Sequence, residues 1–200
     1  MTHPRKRIRG EERREQILRC SIGVFAKSNF QRARVVDIAA SADISEAMVY
    51  KHFPSKKNLF IEALQYISER LMSRLEEEVK KEQDPLRAIR QMMSTFSDPM
   101  VNPPEEVRVR SKAISEIDDK EIADRLHRDH ETFMRFIGSL IVRGMEEGKV
   151  RKDLDMETML LLLDAVGMFV ETLKILSFGD KATVETGLKM TDHLIQSMRT

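Results

Sequence analysis

The side chains best suited by type and spacing to do chemistry lie between Ser45 and Lys56. Lys51 carries the donor that favours guanine O6 and N7, Glu46 the acceptor that favours the cytosine amino group, and Ala47 and Met48 the apolar surface that fits a thymine methyl. The hydroxyl of Tyr50 and the imidazole of His52 are groups able to donate to phosphate oxygens, and Lys56 stands beside Ser55 at a helix start, where open amides and a cation make a positive anion site. This chemistry is recognition rather than bond-making. The chain contains no Gly-rich phosphate loop, no nucleophile with an evident base and no strong metal-ligand spacing. It therefore reads as no enzyme and calls for no cofactor and no metal.

The elements that must position these groups are helices. Apolar residues recur at spacings of three and four nearly throughout, with no convincing period-two run, so the predicted class is all-α. A first helix is expected from Glu11 to Lys27, facing inward with Ile17, Cys20, Ser21, Val24 and Phe25, and ended by Asn29 in the left-handed conformation. A short helix from Val35 to Ser41 buries Ile38 and Ala39. Asp43 makes the turn, Ser45 caps a third helix from Glu46 to Phe53, and Pro54 stops it. Two short helices, a tight turn and a basic surround describe a helix-turn-helix, whose second helix lies in the major groove.

Ser55 is the next expected cap. The stripe Leu59, Ala63, Ile67, Leu71, Leu75 and Val79 then predicts one long amphipathic helix to about Gln83. Asp84-Pro85 restart a helix that runs to Phe96, and residues 97–104, with three prolines, form a loop. Helices follow at Glu105 to Ile117, at Lys120 to Glu147 with Gly148 as its stop, at Met156 to Phe178 behind Asp155, and at Lys181 to Met198 behind Asp180.

The net charge of +1 conceals an asymmetry. Residues 1–60 carry 13 Lys and Arg against 6 Asp and Glu, whereas residues 61–200 carry 21 against 27. A basic end suits a phosphate backbone and an acidic end suits another task. The expected organisation is a basic tail over 1–10, a DNA-binding unit over 11–55 and a helical ligand-binding and dimerisation unit over 56–200. The tail Arg5-Lys6-Arg7-Ile8-Arg9 reads either as a minor-groove arm or as a disordered solubilising segment. No uninterrupted apolar run is long enough to span a bilayer and the N-terminus lacks a signal-peptide core, so a cytoplasmic, membrane-free protein is expected. The single Cys20 is expected to pack.

The runs Asp37-Ile38-Ala39, Ala42-Asp43-Ile44-Ser45 and Met48 through Phe60, with Ile17-Leu18 and Phe25, closely resemble the signature of the TetR family of transcriptional repressors over about Arg13 to Phe60. The resemblance implies that Ser45 to His52 form the recognition helix, that Tyr50 and His52 meet the DNA backbone and that Lys56 meets phosphate. Tyr50 and His52 also admit a core reading, and Phe53 is read as core. Asn29 and Asp43 stand where the family usually has glycine. Ala33-Arg34 replaces a hydroxyl pair, losing a cap while offering Arg34 as a phosphate contact, and Ala47 replaces a common glycine.

The resemblance further implies a homodimer that holds a double-stranded DNA operator and a small-molecule effector in a C-terminal cavity. Met156 to Phe178 is apolar nearly all round, as a helix covered by a second subunit would be. Polar residues misplaced on apolar stripes mark the cavity wall: His130, Arg110 and Asp164, which are either mutual partners or ligand contacts. Met92, Met93, Phe96, Phe133, Phe136 and Met168 are the expected apolar lining. His127, His130 and Glu131 admit a metal site but read better as a solvated face with a core histidine. The functional expectation is a repressor released from a palindromic operator by a hydrophobic effector. The alternative is a ligand-independent dimeric architectural DNA-binding protein, for which a filled core would speak.

Overall fold

The computed structural model describes residues 10–176 and 181–200, the side chains of 181–183 aside. The basic tail and the Asp180 cap lie outside the described residues. Nine α-helices follow one another among those described: α1 Gly10–Lys27, α2 Val35–Ser41, α3 Glu46–His52, α4 Lys56–Val79, α5 Pro85–Ser97, α6 Pro104–Ala113, α7 Lys120–Glu146, α8 Met156–Ile175 and α9 Lys181–Met198. The fold is all-α, with an isolated antiparallel bridge between Val150 and Arg199.

Local chemistry sets most boundaries. Ser45, Ser55, Asp84, Asp119 and Asp155 each accept hydrogen bonds from amides in the first turn of α3, α4, α5, α7 and α8. Asp43 holds the helix-turn-helix turn at φ 52°, and Gly148 ends α7 at φ 70°. Asn29 is not left-handed, contrary to expectation. Its Oδ1 instead accepts from the Arg32 amide at 2.9 Å, closing the turn after α1 by side-chain chemistry. The expected helix from Glu105 to Ile117 divides at Ala113 into α6 and a 3-10 turn, Ile114–Glu116.

Two apolar clusters share α4. The first joins Ile17, Ile22 and Phe25 of α1, Ile38 of α2, Val49 of α3 and Phe53 to Leu59, Phe60, Ala63, Leu64 and Ile67, and takes in Val109, Ala113 and Ile122. The second joins Leu71, Leu75 and Val79 to α5, α7, α8 and α9. Both run along one buried stripe of a single helix. Cys20 sits only half-buried, its Sγ 3.5 Å from the Ser41 carbonyl.

Lys56 corrects its expected role. Its ammonium donates to the carbonyls of Phe30, Gln31 and Ala33 at 2.9, 3.2 and 3.1 Å and lies 4.7 Å above the Phe30 ring. An ammonium has three N–H donors, so none is left for phosphate. The carbonyls it satisfies belong to the irregular turn between α1 and α2, which no helix pairs. Replacing Lys56 with Met keeps the stem but orphans these acceptors, and should cost about 1–3 kcal/mol of stability, read as a lower urea midpoint. An unchanged midpoint would show that the clasp contributes nothing.

Candidate nucleic-acid interface and ligand cavity

Helix α3 is anchored by one buried residue, Val49, and by Phe53 just beyond it, both 1% exposed. The rest of the helix is thereby free. Glu46, Ala47, Met48, Tyr50 and Lys51 are exposed on one continuous surface, with Ser45 at its start bonding the Met48 amide at 3.3 Å. Short helices hold no conformation by propensity alone, so this cap and these two anchors define the presented face.

His52 is half-buried at the end of α3. Partial burial, then the positive charges of Lys51, Arg14 and Arg13, push its imidazole below the ordinary histidine range. Arg14 is itself fixed by an ion pair with Glu62 of α4 and lies 4.7 Å above the Phe53 ring. Lys51, Arg14 and Arg13 thus make the surroundings of His52 positive, with Arg14 partly offset by Glu62. Arg34, at the N-cap of α2, makes no side-chain cap bond; its guanidinium instead grips Asp37 through two bonds of 2.9 and 2.8 Å while remaining exposed. Of the sequence-predicted contacts, Arg34, Ser45, Glu46, Ala47, Met48, Tyr50, Lys51 and His52 are at least partly accessible on the helix-turn-helix, and Lys56 is engaged inward.

A cavity of about 410 Å³ lies in the other half, walled by α4, α6, α7 and α8 with one contribution from α5. Phe96, Arg110, His130, Phe133, Asp164 and Met168 line it as expected. Met92, Met93 and Phe136 do not: both methionines are buried in the second cluster and Phe136 packs against it, behind the wall. A methionine at a buried helical position is equally suited to core or lining, and only the packed neighbours decide. Sequence reasoning missed Ser68, Leu71 and Met72 on α4, Ile114 and Ile117 beyond α6, and Glu171 and Ile175 on α8. The isoleucines after α6 carry a usable signal, two large apolar residues more than half exposed at 56% and 55%.

The three misplaced charges do not pair with one another as a set. Arg110 pairs with Glu171 and donates to Asn102 Oδ1 at 2.8 Å, while Asn102 in turn donates to Glu171 at 3.1 Å. His130 and Asp164 face each other at 3.9 Å, and the imidazole is half exposed rather than core. Burial, more than the nearby Glu171 charge, pushes the Asp164 carboxyl above the usual carboxylate range against the pull of His130. A further carboxylate in the wall, Asp129, is paired with Arg125.

Polar contacts join this wall to the helix-turn-helix. Lys57, at the start of α4, bonds Glu121 at 2.5 Å and Asp119 at 3.2 Å. Gln31 donates to Glu116 at 2.8 Å, and Lys112 donates to the Ala26 carbonyl at the end of α1 at 2.7 Å. The segment carrying Ile114 and Ile117 is thus tied at both ends to the first cluster.

Residues 17–63 match the model of the bacterial regulatory proteins of the tetR family. The chain is 36% identical over 81 residues to the nucleoid occlusion factor SlmA of Shewanella pealeana, a match spanning 40% of this chain and 41% of that protein. It is 30% identical over 146 residues to SlmA of Vibrio atlanticus, spanning 70% of this chain and 73% of that one. Among solved structures, a transcriptional regulator of Saccharomonospora viridis in complex with choline superposes with a TM-score of 0.81 at 22% identity, over 93% of this chain and 96% of that chain. The regulator FadR of Bacillus subtilis in complex with stearoyl-CoA gives 0.80 at 14% identity, over 90% and 97%. At such identities the structural likeness speaks for the fold alone. With the family model on the helix-turn-helix and the Vibrio relative aligned over most of both chains, the chain belongs to the tetR family of bacterial regulatory proteins, which are DNA-binding regulators and not enzymes.

Proposed function

We propose that this protein is a homodimeric repressor that reads a palindromic operator through α3 and releases it when a small hydrophobic effector enters the cavity. The observation that carries this reading is the shared wall: α4 both lines the cavity and packs the helix-turn-helix, and the Ile114 to Glu121 segment repeats that connection through Lys57 and Gln31. An occupant that parts α4 from α7 has differential contacts in the two arrangements, as a population shift requires. Glu46, Ala47, Met48 and Lys51 read base edges. Ser45, Tyr50, His52 and Arg34 meet the backbone, the last by exchanging Asp37 for phosphate. The complexes of the structural neighbours with choline and stearoyl-CoA support a ligand site in this fold.

A second copy covers the outward stripe of α8, where Leu161, Leu162, Phe169 and Leu176 are exposed with Met190 of α9 nearby in the same pair of helices. Such a patch is costly in a monomer. The alternative is a ligand-independent architectural DNA-binding protein. It is favoured by the nucleoid occlusion factors among the relatives and disfavoured by the cavity.

The deciding experiment is binding to the DNA upstream of the protein's own gene, across a salt series and against scrambled competitor. A palindrome preference that survives rising salt supports the repressor, and salt-labile binding without preference supports the alternative. In the same assay Lys51→Ala should relax base preference by about 1–3 kcal/mol at one position; equal loss on every sequence would contradict a base-reading role. Burial and the cations around it lower the proton affinity of His52, and a phosphate beside it would raise that affinity again. Binding should therefore take up a proton and tighten as pH falls through the histidine range, and His52→Gln should flatten that profile. A wild-type profile already flat would remove His52 from the contact. Phe169→Arg should shift sedimentation from dimer to monomer and weaken operator binding; a variant that stays dimeric would place the interface elsewhere.

A further inference from the structure

Resting on the reading of the cavity as the effector site, we infer that its ligand is an organic cation, an amine or ammonium carried on an apolar body, with its charge set against Asp164. The body is specified by the lining, where Leu71, Met72, Phe96, Phe133, Met168 and Ile175 supply apolar surface. The head is specified by charge. Three carboxylates enter the wall, and two of them have permanent cations: Asp129 pairs with Arg125, and Glu171 with Arg110. Lys174 donates to the Phe96 carbonyl at 3.4 Å, and burial lowers its proton affinity against the pull of the nearby Glu171 charge. Asp164 has an imidazole 3.9 Å away, charged only when protonated. Its side chain is 14% exposed, so water does little to stabilise the carboxylate. A cationic ligand supplies the missing countercharge at the place where desolvation is already met.

The aromatic part of the lining points the same way. Phe96 and Phe133, with ring centroids 5.5 Å apart, both line the cavity and present rings whose faces attract a cation. An anionic ligand has a poorer claim. Arg110 is neutralised by Glu171 and occupied by Asn102, and its Nη1, which has no acceptor, exposes less than 1 Å². A carboxylate in the cavity would compete with Glu171 for Arg110 and would face the Asp164 carboxylate in the same wall.

The test is isothermal titration of the full chain with three probes of one length: octylammonium, 1-octanol and octanoate. Octylammonium should bind at least about tenfold tighter than either of the others. In Asp164→Asn, a substitution of nearly equal shape, its advantage over octanol should vanish while octanol binds as before; Asp164→Ser serves as a second variant, with thermal melting to show that each is folded. Octanoate binding tightest, or an octylammonium preference that survives both substitutions, would overturn the inference and leave the effector site standing. No heat from any probe, in protein that still holds its operator, would remove the effector reading and this inference together.

Discussion

The stiffness of α4 governs the molecule. One continuous hydrogen-bonded helix buries Leu59, Phe60, Ala63, Leu64 and Ile67 in the first apolar cluster and Leu71, Leu75 and Val79 in the second. Leu71 and Met72 in the cavity wall and Lys56 at the helix-turn-helix end therefore belong to one and the same element.

Polar chemistry divides between holding this arrangement and exposing a surface. Lys56, Lys57, Lys112, Gln31 and Arg14 reach across elements and are engaged by carbonyls or carboxylates. The polar side chains of α3, by contrast, are presented outward, because Val49 and Phe53 supply the anchoring. The same residue types thus serve opposite ends according to whether an apolar neighbour has already fixed their backbone. The cavity shows the intermediate case, charges that are partly satisfied and partly available.

What could be read before the structure follows the range of the interactions concerned. The helix-turn-helix was legible because its determinants are local: Asp43 tolerates a positive φ, Ser45 reaches an amide three residues on, and Pro54 forbids continuation. The caps of α5 and α8 and the Gly148 stop are of the same kind. The cavity was legible in part, since Arg110, His130 and Asp164 stand out as charges on apolar stripes. The facing of His130 and Asp164 was among the readings, but the partner of Arg110 was not, because Glu171 lies 61 residues beyond it and only the packing of α8 on α6 brings the two together. The direction of the Lys56 ammonium failed for a related reason: a cation at a helix start implies an external anion until the carbonyls of a distant turn are seen beneath it. Met92, Met93 and Phe136 have the right types for a lining, yet helical periodicity alone does not distinguish a core face from a cavity face.

Helix α8 has a consequence for how such a protein can diversify. Around its circumference Leu163, Val166 and Val170 fill the core, Asp164, Gly167 and Glu171 border the cavity, and Leu161, Leu162 and Phe169 are exposed on the outside, where the proposed second copy would dock. Few positions on it answer to a single requirement, so most substitutions there would be judged on stability, ligand preference and pairing at once. The side chains after α6 are less encumbered: Ile114 and Ile117 touch the cavity from an exposed turn whose flanks, not these two residues, make the ties to the first cluster. New ligand preferences would be expected to accumulate there first, leaving α8 as the slowly changing part of the wall.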